Sequence, residues 1–89
     1  MPSISMFYGI IIYMYFFDNQ KHHLPHLHAE YGETEGIFLI SNTEKIEGDL
    51  PAKQGRLVSA WIEIHKEELM ANWKLAVSGQ SVFKIDPLK

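Results

Sequence analysis

Four of the chain's five histidines fall in one short stretch, His22-His23-Leu24-Pro25-His26-Leu27-His28-Ala29-Glu30-Tyr31-Gly32. Side chains alternate across a β-strand, so residues two apart share a face. If the chain after Pro25 is extended, His26, His28 and Glu30 line one face while Leu27, Ala29 and Tyr31 turn the other toward the core. Groups able to bind a metal or move a proton then stand in a row, about 7 Å apart by strand rise. His22 can fold back over them across the bend at Leu24 and Pro25.

That row admits three readings, and the residues leave all of them open. His22, His26 and His28 with Glu30 could hold a divalent metal, since neutral imidazoles and a carboxylate suit zinc, nickel or iron. His22, His26 and His28 could instead be catalytic in a ribonuclease or phosphodiesterase-type site. One imidazole would take a proton and another give it, with Lys21 or Arg56 steadying phosphate charge. Against a shared metal, two histidines on one strand face diverge by nearly 7 Å. The third reading is structural or partner-contacting, with no cofactor and no reaction. Whether the chain is an enzyme is thus undecided from the residues.

The elements that would carry this row belong to an 89-residue chain, enough for one modest core and too small for two. Hydrophobic residues make up 46% and charged residues 21%, a balance that favours a globular domain over a disordered one. The net charge of -3 and the single arginine, Arg56, argue against a nucleic-acid partner gripped through its phosphates. No cysteine is present, which removes disulfides and thiolate metal sites and fits a cytoplasmic location. The apolar run over residues 6–17 lacks a preceding basic residue and a following small-residue cleavage site. It is also shorter than the roughly 20 residues of a spanning helix, so a membrane partner is not expected.

Along the chain, residues 1–5 read as a lead-in and residues 7–17 as one strand, β-branched or aromatic almost throughout. Such a strand is apolar on both faces and is normally covered on both. The face with Tyr13 and Tyr15 is expected to be closed by another chain or by the C-terminal tail. After the polar connection to Pro25 and the histidine strand, Gly32 and Glu33 suit a two-residue hairpin loop of type II′. Counting back from that loop pairs Tyr31 with Thr34, Glu30 with Glu35, Ala29 with Gly36, His28 with Ile37 and Leu27 with Phe38. A short strand follows at residues 45–48. Residues 52–77 carry helical periodicity through Val58, Trp61, Ile62, Leu69, Trp73 and Ala76. An unbroken helix there would be about 39 Å long, more than the ~31 Å width of a compact domain of this size. Two helices, residues 53–64 and 66–77, are therefore expected, broken at His65. Glu68 stands three residues on, as in a capping arrangement, and Glu67 and Glu68 suit a helix N-terminus. Trp61 and Trp73 read as core.

The whole pattern resembles the bacterial domain of unknown function family 4160. The resemblance is carried by Ile4-Ser5-Met6-Phe7, Gly9-Ile10, Met14-Tyr15-Phe16, His22, and Pro25-His26-Leu27-His28-Ala29-Glu30-Tyr31-Gly32. It continues through Leu50-Pro51, Trp61, the run from His65 to Leu69, and Asn72-Trp73. The chain departs from the family pattern at Leu24, where a proline is usual, at Lys21, where an acid is common, and at Tyr13, often polar or basic. The resemblance implies one half of a compact two-gene module of toxin–antitoxin type, with a protein partner encoded by the neighbouring gene.

These observations predict an α+β fold in a single domain, residues 1–89: an antiparallel sheet of about four strands with two C-terminal helices packed on one face. The expected function is a small cytoplasmic protein-interaction module, its partner a neighbouring gene's product or a second copy in a homo-oligomer. The alternative is a site at His22, His26 and His28 acting as a metal binder or in acid/base chemistry.

Overall fold

A tight turn at Tyr8 and Gly9 divides the N-terminal apolar run in two. In the computed structural model, which describes residues 3–15 and 24–88, both turn residues have positive φ, 50° and 78°. That is the signature of a type I′ hairpin loop, and Phe7 pairs with Ile10 across it. The expected single strand is therefore a hairpin of β1 (Ser3–Phe7) and β2 (Ile10–Tyr13). Residues 3–5 are strand rather than lead-in, and the sheet gains a fifth member. A bulky residue rarely takes positive φ, so Tyr8 gives no turn signal. Gly9 alone marks the bend, with Tyr31 Cε1 3.3 Å from where a Cβ would stand.

The next hairpin matches its expected register at every pair. β3 (His26–Tyr31) and β4 (Thr34–Leu39) join through Gly32 and Glu33, and of the two only Gly32 has positive φ, as a type II′ loop requires. Tyr31 faces Thr34, Glu30 faces Glu35, His28 faces Ile37 and Leu27 faces Phe38. β5 (Lys45–Gly48) closes a sheet of order β1-β2-β3-β4-β5, with every neighbouring pair antiparallel.

α1 (Ala52–Ile64) and α2 (Lys66–Val77) break at His65. The longest dimension of the fold is 32 Å, too short for one helix over the same residues. His65 does not cap α2 with its side chain. Its N–H closes α1 on the Trp61 carbonyl at 3.1 Å, and its carbonyl accepts the Leu69 N–H at 2.9 Å.

Both helices lie on one face of the sheet. Ile10, Ile12, Leu27, Ala29 and Phe38 share a buried cluster there with Val58, Trp61, Ile62, Leu69 and Trp73. Removing such side chains from water supplies the main stabilisation of a domain this small. The tail beyond α2 is anchored at three points. The Ile85 N–H donates to the Ile4 carbonyl at 2.9 Å, and the Trp61 Nε1–H to the Asp86 carbonyl at 2.8 Å. Buried Asn72 donates to the Phe83 carbonyl at 2.8 Å and accepts the Phe83 N–H at 3.1 Å. These anchors hold the tail to the β1 edge and the helices, and Lys84 to Pro87 line a groove with Met6, Ile11 and Tyr13, so the tail borders the strand face expected to need a cover. Among the described residues no helix is long and apolar enough to cross a membrane.

Candidate functional site

Strand alternation and cross-strand register together define the sheet face turned away from the helices. Residues directly opposite in neighbouring strands share a face. One row therefore runs Met6, Ile11, Glu30, Glu35, and the next runs Tyr13, His28, Ile37, Glu47. His26 faces Leu39 at the start of β3. His26, His28 and Glu30 thus fall in the alternation expected of them, with Leu27 and Ala29 on the core side.

Their exposure differs sharply. His26 is wholly buried, His28 is 9% exposed, and Glu30 is half-buried. His26 Nδ1 lies 2.8 Å from the Leu24 carbonyl, which can only accept, so Nδ1 is the protonated nitrogen in that bond. The ring packs 4.9 Å from Trp73 of α2 and 5.4 Å from His28. His28 in turn meets the ring of Tyr15 edge-on at 4.4 Å, and Tyr15 stacks on Tyr13 at 6.1 Å. A continuous run of rings, Tyr13, Tyr15, His28, His26 and Trp73, therefore crosses from the open face to the helix layer. Contacts of this geometry between aromatic rings add about 0.5–1.5 kcal/mol each beyond simple burial. The Glu35 carboxylate lies beside His28, with Oε1 3.6 Å from Nδ1, an ion pair only when the imidazole is protonated.

His22 and Lys21 lie outside the described residues. Among the described residues no group of three or more His, Asp or Glu side chains is close enough to hold a metal ion. Arg56 is on α1, in a groove with Phe38, Lys45, Leu50 and Ser59, on the helix side of the sheet. The structure does not bring it to the histidines. What the described residues do place together is an imidazole pair, the second of them beside a carboxylate and a tyrosine.

One pairing is visible only in three dimensions. His65 Nδ1 lies 2.7 Å from Glu68 Oε1, and the imidazole packs 5.4 Å from the Trp61 ring. The three-residue spacing was the available signal. It reads as a backbone cap in sequence, but the His65 N–H is already taken by α1, so Glu68 grips the ring. On the β1–β2 hairpin, Met6 is 65% and Tyr8 60% exposed, Ile11 and Tyr13 are partly exposed, and so is Tyr15 just beyond it.

A family model described as Domain of unknown function (DUF4160) matches residues 9–74, which takes in the histidine strand, the Leu50-Pro51 break and both tryptophans. No curated protein and no solved structure matches the chain significantly.

Proposed function

We propose that this chain, which belongs to the DUF4160 family, works as a small cytoplasmic protein-interaction module, one half of a toxin–antitoxin-like two-gene pair. The observation that carries the reading is the exposed apolar surface of the β1–β2 hairpin. The two helices pack on one face, while the β1–β2 hairpin presents Met6, 65% exposed, and Tyr8, 60% exposed, beside the partly buried Ile11 and Tyr13. Exposed apolar side chains grouped on one element mark contact surfaces more often than scattered ones do. The test is co-expression with the product of the neighbouring gene, followed by size-exclusion chromatography with light scattering. One co-eluting complex supports the pair. A chain that elutes alone at about 10 kDa with that product present removes it.

A second reading, a metal-binding or ribonuclease/phosphodiesterase-type acid/base site, draws support from the His26 and His28 rings, 5.4 Å apart on one strand. Elemental analysis of purified protein tests it, together with growth arrest on expression of the wild type, His26→Ala and His28→Ala. Absence of metal combined with unchanged arrest in folded variants removes it.

A further inference from the structure

Beyond the buried His28 and Ile37, the sheet face turned away from the helices is divided into two halves of different chemistry. Toward β1 and β2 it carries Met6, Ile11 and Tyr13. Toward β3 and β4 it carries Glu30 and Glu35, which stand directly opposite each other in the ladder. Like charges at that separation destabilise a strand pair, and a third carboxylate lies close by. Asp49 Oδ1 accepts the Glu35 N–H at 3.1 Å. Among the described residues no lysine or arginine is paired with Glu30 or Glu35. Lys45 belongs to the helix side of the ladder and donates to the Leu50 carbonyl, Lys84 reaches Ser3 and borders Met6, Ile11 and Tyr13 at the β1 rim of the face rather than the two glutamates, and Lys66 serves Ser41 and Glu63. Among the described residues the ion-pair partner of Glu35 is His28, at 3.6 Å, and then only when protonated. The free domain therefore holds a like-charge pair beside an exposed apolar strip.

From this we infer that the face docks a protein partner presenting lysine or arginine side chains flanked by apolar ones, a cationic amphipathic segment. The inference deepens the interaction reading above by naming the partner's chemistry. A guanidinium or ammonium group set between Glu30 and Glu35 relieves their mutual repulsion, while its apolar neighbours cover Met6 and Ile11. Tyr13, partly exposed and stacked on Tyr15, offers its ring to a second cation. Complementary charge of this kind sets partner choice and association rate. A second copy of the chain fits poorly. An isologous pairing through this face offers each Glu30 and Glu35 pair at most the Lys84 ammonium at the rim of the other copy's apolar half, and a carboxylate buried without a cation is costly.

The test titrates ¹⁵N-labelled protein with three synthetic helical peptides: leucine with lysine, leucine with glutamate, and serine with lysine in the same pattern. The leucine–lysine peptide is expected to bind tightest, to shift the amides of Met6, Ile11, Glu30 and Glu35, and to weaken as salt is raised. The Glu30→Lys/Glu35→Lys variant is expected to lose about tenfold in affinity for it, two surface charge pairs' worth. Glu63→Lys/Glu67→Lys on the helix side leaves affinity unchanged. If the double-lysine variant fails to fold, Glu30→Gln/Glu35→Gln carries the same expectation at smaller size. Equal affinity for the leucine–glutamate peptide, shifts confined to the helices, or undiminished binding by the charge variants overturns the inference. Because the probes are synthetic, this failure is distinct from failure to co-elute with the neighbouring gene's product.

Discussion

Replacing His26 separates a structural imidazole from a reactive one. His26 is wholly buried, its ring packed against Trp73 and His28 and its Nδ1–H bonded to the Leu24 carbonyl. His26→Ala removes a buried ring, for which large-to-small core changes cost about 2–5 kcal/mol, and it removes one hydrogen bond, about 1 kcal/mol. We expect a loss of about 3 kcal/mol. A domain of this length has roughly 4–13 kcal/mol in total, so the fall is a large share and lowers Tm by about 15 °C. His26→Phe keeps a ring against Trp73 and forfeits the Nδ1 hydrogen bond to Leu24, so its expected cost is smaller, about 1 kcal/mol. The assay is urea unfolding followed by tryptophan fluorescence, which Trp73 reports directly, with the midpoint compared at constant slope. If His26→Ala lies within 1 kcal/mol of the wild type, or if the phenylalanine variant is the less stable of the two, then ring packing does not hold this position and the argument fails.

Three further outcomes follow from single contacts. Gly48 has a φ of 106°, and a Cβ there would collide with the Glu35 carbonyl. Gly48→Ala should cost about 2 kcal/mol or more by thermal unfolding, and hydrogen exchange should show β5 released first. Glu30→Gln removes one member of a directly opposed carboxylate pair and should raise stability by a few tenths of a kcal/mol, an effect that 0.5 M salt should shrink. Asn72→Ala deletes both side-chain bonds to Phe83. It should cost about 2–3 kcal/mol and speed exchange of the Ile85 amide, while exchange of the Ala29 amide in the sheet interior tracks only the global change. No speeding at Ile85 would show that the tail does not depend on this anchor.

The sequence alone carried the β3–β4 register and the helix boundaries. A two-residue loop at Gly32-Glu33 leaves only one way to count pairs back from the turn. The break at His65 follows from chain length against domain width. Both are local or arithmetical constraints. The β1–β2 hairpin was hidden because its turn places a tyrosine at positive φ, which the surrounding fold supports and local preference does not announce.

The histidine strand shows the same boundary most clearly. Period two determined that His26, His28 and Glu30 share a face, because alternation is a property of extended backbone whatever surrounds it. Tertiary structure alone decided what that face meets. Trp73 arrives from α2 to bury His26, Glu35 comes from the next strand to His28, and the helices cover the other side. Burial and charge at a point in space are set by elements distant along the chain, and their arrival is a consequence of packing that no local pattern encodes.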